Sequence, residues 1–268
     1  MVSNKWVYKV KYRTDDTIER RKARLVARGF TQQHGIDYKE TFAPVAQMST
    51  VRTMLVVAAI QKWPLYQMDV KNAFLHGSLS ETVYMTPPPG YNIPSGHVCL
   101  LRRAVYGLKQ ALRAWFECFR TTVLSGGFME SHQDPSMFVR NTSLGRVLLL
   151  LYVDDMIITG DDVAGIQFVK NHLQKQFQMK DLGPLRYFLG LEISQGLQGV
   201  LLSQQKYLSD ILDRADLTDE KSVDTPLQQN VKLRSTDGEP LSDPTRYRHL
   251  VGQLVYLFIF RQDISHAV

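Results

Sequence analysis

Two carboxylates stand side by side within an otherwise apolar run, Val147-Leu148-Leu149-Leu150-Leu151-Tyr152-Val153-Asp154-Asp155-Met156-Ile157-Ile158. A run of that composition reads as strand entering a core, and a core does not accept two adjacent like charges. Half-burying them side by side raises at least one pKa unless a divalent cation neutralises the pair. A metal is the economical explanation of this segment; a solvated turn carrying two acids is the competing one.

The elements around the pair have a readable order. Met137 to Arg140 and Arg146 to Val153 form a hairpin around an Asn141-to-Gly145 turn, and the chain continues through the acids into Met156 to Thr159. Upstream, Ser49 caps an amphipathic helix through about Lys62, stopped by Pro64, and a short strand, Leu65 to Met68, runs into Asp69. A short helix closed near Gly77, a Pro87-Pro88-Pro89-Gly90 loop and a long helix from about Val105 to Leu124 follow. Asp161 and Asp162 cap a helix to about Gln178, and Tyr187 to Ser194 with Val200 to Ser203 make a further hairpin. From Asp69 onward this reads β-α-β-β-α-β, the ferredoxin-like order, which hosts many functions. After Gln204 come a helix to about Ala215, a polar stretch and a final apolar helix; no internal repeat is visible.

Asp69 stands at the end of the strand expected beside the acid pair, so three carboxylates converge on one sheet edge. Three hard oxygen donors suit two Mg²⁺ ions, which stabilise the attacking and leaving oxygens of an in-line displacement. Asp69 alone reads more readily as the N-cap of the helix after it; the combination of the three acids favours chemistry.

Charge is informative mainly through its distribution. The 268 residues carry 32 Lys and Arg against 26 Asp and Glu, a net +6, which is compatible with a polyanionic partner. Between Lys5 and Arg28, nine positive residues face three acids. Trp6 to Arg13 and Glu19 to Phe30, with Thr14-Asp15-Asp16 between them, read as a basic hairpin suited to holding phosphates, or else as a solvated basic face. Cys99 and Cys118 are the only cysteines and no Cys/His cluster has zinc spacing, which argues against a disulfide framework or structural metal. No signal peptide and no apolar run of roughly 18 residues is present, so no membrane partner and a soluble, intracellular protein are expected. Asn141-Thr142-Ser143 fits a glycosylation acceptor formally and is read as a turn.

Several strings carry a resemblance. Tyr152-Val153-Asp154-Asp155 resembles the YxDD box of reverse transcriptases, and Gln67-Met68-Asp69-Val70-Lys71-Asn72-Ala73-Phe74-Leu75-His76-Gly77 resembles the copia-type form of their first catalytic motif. Lys22-Ala23-Arg24-Leu25-Val26-Ala27-Arg28-Gly29-Phe30, Tyr106-Gly107-Leu108-Lys109-Gln110 and Lys180-Asp181-Leu182-Gly183 look like the same family, in its order. The chain thus resembles the reverse transcriptase of a copia-type LTR retrotransposon Pol polyprotein from about Trp6 to its end.

The resemblance implies an α+β right-hand polymerase with a ferredoxin-like palm. Residues 1–203 would form fingers and palm, and 204–268 a partial thumb or connection region, cut before a ribonuclease H domain. Asp69, Asp154 and Asp155 would hold two Mg²⁺ ions, and Lys22 and Arg24, two apart on one strand face, would grip the triphosphate. Phe74 would exclude a ribose 2′-hydroxyl, Gln110 would line the nucleotide pocket and Lys180 would protonate the leaving pyrophosphate. Without the resemblance, Phe74 reads as a core aromatic and Lys180 as an exposed lysine. Phe188-Leu189-Gly190-Leu191-Glu192-Ile193 resembles the hairpin that grips the primer. The implied partners are RNA or DNA template with primer, dNTPs and the remainder of a Pol polyprotein. The implied location is the cytoplasm, within a virus-like particle if the element is active, or the nucleus.

Two positions depart from the family pattern: Leu112 stands where proline is usual, and Phe258-Ile259-Phe260-Arg261-Gln262 replaces a more polar run. Neither removes a carboxylate. An inactive remnant that only binds nucleic acid is the rival reading, and another two-metal enzyme such as a nucleotide cyclase the second. A P-loop ATPase is disfavoured because GxxxxGK[ST] does not occur.

Overall fold

The computed structural model describes residues 1–13, 15–196, 199–217, 232, 234, 236–261 and 264, and its contacts divide the chain into units at Leu185 and Arg186. The division expected at 203/204 was one of function; by contact, the hairpin after Leu185 belongs with the C-terminal unit.

In the first unit, β1 (Asn4–Tyr12) and β2 (Ile18–Ala27) form an antiparallel ribbon with Lys9 opposite Lys22, Lys11 opposite Arg20 and Val7 opposite Arg24. Paired residues share a face, so these cations lie on one side and Trp6 and Tyr8 on the other. Helix α1 (Met48–Gln61) follows, closed by Lys62 in the left-handed conformation (φ 56°). The expected cap, Ser49, lies inside the helix. A distant acceptor serves the helix start instead: buried Asp134 takes the orphan Gln47 N–H (3.2 Å) and also the Thr50 hydroxyl (2.6 Å).

Strand β3 (Leu65–Val70) leads through a 3₁₀ turn, Ala73–His76, into a hairpin of β4 (Ser78–Met85) and β5 (Cys99–Arg103). Helix α2 runs Ala111–Ser125, beginning later than the sequence pattern suggests. The preceding segment is held extended instead. Tyr106 bridges Val26 and accepts the Ala27 N–H at 2.7 Å, and Gly107 has φ 89°. Short β6 (Met129–Glu130), β7 (Met137–Thr142), β8 (Gly145–Tyr152), β9 (Asp155–Gly160), α3 (Val163–Gln176) and β10 (Met179–Pro184) complete the unit.

Six strands join in the order β10-β3-β9-β8-β7-β6, every neighbouring pair antiparallel. Within it, β3, α2, β8, β9, α3 and β10 supply the β-α-β-β-α-β order. The last strand of that order is Met179–Pro184, not the Tyr187-to-Ser194 segment the sequence pointed to. Met68, Leu149, Leu151, Met156 and Ile158 on the sheet meet Trp115 and Phe119 of α2 and Ile166, Val169 and Leu173 of α3 in the main core. Alternation then leaves Asp69 and Asp155 on the sheet face away from these helices.

The second unit holds β11 (Tyr187–Phe188), β12 (Leu191–Gly196) and β13 (Gly199–Ser203) in one antiparallel sheet, with α4 (Gln205–Ala215) and α5 (Pro244–Phe260). The rings of Tyr207 and Tyr256 meet at 5.3 Å, and the Tyr256 hydroxyl donates to Leu189 O. Much of the expected polar stretch, 218–231, lies outside the described residues. Among the described residues no helix is long and apolar enough to cross a membrane.

Candidate active site

The acid pair occupies a two-residue reversal. Strand β8 ends at Tyr152 and β9 starts at Asp155, which are register partners, leaving only Val153 and Asp154 to turn the chain. Val153 has φ 58°, a conformation that β-branched residues avoid and that hairpin loops ordinarily give to glycine. Two hydrogen bonds from outside the hairpin hold it. The indole N–H of fully buried Trp115 donates to Val153 O at 2.6 Å, and Val70 N donates to Asp154 O at 2.8 Å. Strain held in this way by surrounding structure is a mark of functional turns.

Register places the third acid. Asp69 is the direct partner of Asp155 across β3 and β9, and Lys180 the direct partner of Asp69 across β10 and β3. Lys180, Asp69 and Asp155 therefore form a row across three strands on one face, with Asp154 at the adjoining turn. Burial pushes Asp155 up to about 6, with Asp154 adding to the rise and the Gln67 amide, 3.4 Å away, opposing it. Burial also raises Asp154; its own backbone N–H opposes, Asp69 adds to the rise, and Arg24 and Lys22 oppose.

The basic ribbon thus reaches the acids through the two residues singled out on β2. The Lys22 ammonium is held below its ordinary pKa by burial and by Arg24, Arg20 and Lys11, with Asp69 opposing. The Arg24 guanidinium lies 5.3 Å from the centre of the Tyr106 ring, and that ring meets Phe74 edge-on at 4.8 Å. Burial and Asp154 raise the Tyr106 phenol, against Arg24. Arg24, Tyr106 and Phe74 therefore form one chain of contacts beside the carboxylates.

Gln110 is placed differently. It is fully buried at the start of α2, its amide nitrogen on Asp37 O at 2.9 Å and its oxygen receiving Gln32 at 3.0 Å. No described contact joins it to the acids. Leu112 is the second residue of α2, where a proline would leave the helical bonds intact, so this departure leaves the helix start undisturbed. Trp115 is a site residue with no part in the sequence pattern, and Gln67, Tyr106 and Val153 stand in the family-like strings without a role of their own. Only Val153 carried a local signal, as a β-branched residue where the chain must reverse.

Among the described residues no group of three or more His, Cys, Asp or Glu is gathered closely enough to form a ready metal cage. The arrangement instead offers three carboxylates at one end of a sheet, two of them held above their ordinary range, faced by two cations. That charge pattern suits handling of a polyphosphate with a hard cation.

A β-α-β-β-α-β sheet with paired acids at its strand ends and a basic ribbon beside them places the chain in the α+β class, and comparison with known proteins gives its family. A family model described as reverse transcriptase (RNA-dependent DNA polymerase) matches residues 1–229. The chain is 44% identical over 270 residues to the retrovirus-related Pol polyprotein from transposon RE1 of Arabidopsis thaliana, covering 100% of this chain and 18% of that protein. It is 40% identical over 276 residues to the Pol polyprotein from transposon TNT 1-94 of Nicotiana tabacum, covering 98% of this chain and 21% of the relative. The chain belongs to the reverse transcriptase family, in its copia-type branch. It spans about a fifth of the length of these relatives.

Proposed function

We propose that the chain is an RNA-directed DNA polymerase, transferring nucleotides from dNTPs to a primer 3′-hydroxyl on an RNA or DNA template. In this reading the sheet with α2 and α3 is the palm of a right-hand polymerase, the β1–β2 ribbon belongs to the fingers, and 204–268 is a thumb or connection region. The observation that carries it is the register of Asp69 against Asp155, with Asp154 in the β8–β9 turn and Lys22 and Arg24 beside them.

The donor set fits Mg²⁺: three hard carboxylates, two of which become easier to ionise beside a cation. Two bound ions, held by Asp69, Asp154 and Asp155, would supply Lewis acidity that lowers the 3′-hydroxyl pKa and neutralises the departing pyrophosphate. The remaining work falls to the chain's own side chains. Arg24 grips triphosphate oxygens bidentately and Lys22 adds a point charge. Phe74, braced by Tyr106, presents a rigid edge to the sugar and disfavours a 2′-hydroxyl. Lys180, in the row with Asp69, passes its Nζ proton to the pyrophosphate as the P–O bond breaks. Gln110 acts at one remove, fixing the 32–38 segment against the start of α2. Trp115 keeps the acid turn in its strained form.

The test is extension of a DNA primer on an RNA template with dNTPs and Mg²⁺, beside an Asp154→Asn/Asp155→Asn double variant. Extension by the parent protein, abolished in the variant, is the expected result. Salt-sensitive template binding without extension by the parent would replace this reading with a binding-only remnant.

A further inference from the structure

Lys180-Asp181-Leu182-Gly183 holds more than the chemistry of Lys180 explains. On α3 the buried stripe is Ile166, Val169, Lys170 and Leu173, so a lysine occupies a core position at helical spacing. The Lys170 side chain is 6% exposed; its ammonium lies 2.9 Å from Asp181 Oδ2 and 3.8 Å from the centre of the Tyr66 ring. Asp181 uses its other oxygen to accept the Gly183 N–H at 2.8 Å.

These contacts surround an irregularity in β10. Lys180 pairs with Asp69, Asp181 with Met68 and Gly183 with Gln67, so Leu182 is an extra residue without a partner on β3. Gly183 takes φ 77°, with open space where a side chain would stand. A one-residue slip of such a strand carries every side chain to the opposite face, which would turn Lys180 toward α3 and away from Asp69. Stability alone does not account for this pair: Lys170 is buried but Asp181 is 37% exposed, and an ion pair that reaches solvent contributes little net stability while the buried lysine is costly to desolvate.

We propose that the Lys170–Asp181 pair is a register clamp that holds the bulge in β10 and thereby keeps Lys180 opposite Asp69, making Lys170 a positioning residue for nucleotide addition. This rests on the polymerase reading. Lys170 touches no substrate; it acts through strand register from the opposite face of the sheet.

Two measurements on the full chain test it. In single-turnover primer extension, Lys170→Met is expected to lower the maximal rate on the order of tenfold with the dNTP KM unchanged, since small misplacements of a reacting group carry losses of that size or more. The same substitution in a Lys180→Ala background is expected to add no further loss. Equal losses in both backgrounds, or none in either, overturn the proposal. Hydrogen exchange gives the second reading, independent of activity: Lys170→Met and Asp181→Asn should speed exchange at residues 179–184 and leave β8 and β9 unchanged. Unchanged exchange at 179–184 overturns the clamp. Absence of extension by the parent protein would count against the polymerase reading alone, and exchange would then uphold or overturn the clamp by itself.

Discussion

Asp155 sits where its protonated form is favoured, and the sign of the consequence can be worked out. Its folded pKa, about 6, lies above the ordinary 3.8, so between those values the folded chain keeps a proton that the unfolded chain has released. Stability therefore falls as pH rises through that window and the whole penalty is present above it. Asp155→Asn, measured by thermal melting without divalent cations, should melt higher than the parent at pH 7.5, with the gain fading as pH falls from about 6 toward 3.8. A variant that melts lower at pH 7.5 would contradict this assignment. Phe74 makes a different kind of claim. Replacing it by Ala removes the edge braced on Tyr106, and the ratio of ribonucleotide to deoxyribonucleotide incorporation should rise at least tenfold, or about 1.4 kcal/mol of discrimination. An unchanged ratio would return Phe74 to the role of core aromatic.

The elements are joined by close backbone approaches that explain glycines in the family-like strings. A Cβ on Gly77 would stand 2.6 Å from both Ala114 C and Trp115 N, so the turn after β3 lies directly on α2, the helix that supplies the Trp115 bond to the acid turn. Gly77→Ala must push these elements apart and should cost on the order of 1–3 kcal/mol by chemical denaturation, with extension reduced beyond that loss of folded protein. Asp134 ties α1 to the loop before β7 while also accepting from the Ser136 N–H and hydroxyl. Burial opposes its ionisation, but the Ser136, Thr50 and Gln47 donors outweigh it and hold Asp134 below its ordinary range. Its contribution is therefore present above pH 3.8 and disappears as pH falls through the lowered folded value. Asp134→Ala should destabilise by about 3 kcal/mol at pH 7, and by progressively less in acid.

What was legible in the sequence follows the same division of scale. The acid hairpin was legible because an unbroken apolar run interrupted by two acids is a local signal, and Asp162 was legible as a cap, its carboxylate accepting from Gly165 N at 2.7 Å. Strand β10 was not, because Asp, Gly and Pro in Lys180 to Pro184 carry turn chemistry and only pairing with β3 makes them extended. The start of α2 and the cap of α1 were misplaced for a related reason: Tyr106 and Asp134 act through partners 80 and more residues away in the chain. Hairpin β4–β5 was missed because a proline-rich loop separates its strands.

For the molecule as a whole, the net charge of +6 and the basic face of the ribbon predict salt-dependent binding of primer-template. Neutralising Lys22 and Arg24 should lower the slope of log affinity against log salt by about 1 for each phosphate that is no longer neutralised. An unchanged slope would mean that Lys22 and Arg24 neutralise no primer-template phosphate and would confine them to the incoming triphosphate. The central claim is that the chain folds around carboxylates whose mutual repulsion a divalent cation relieves. Its most direct test is the melting temperature of the whole chain at pH 7.5, with and without millimolar Mg²⁺, against the Asp154→Asn/Asp155→Asn variant. The variant should be the more stable protein without Mg²⁺ and insensitive to it, while the parent gains stability on addition of the ion. Equal response of the two proteins to Mg²⁺, or a parent already more stable without it, would contradict the claim.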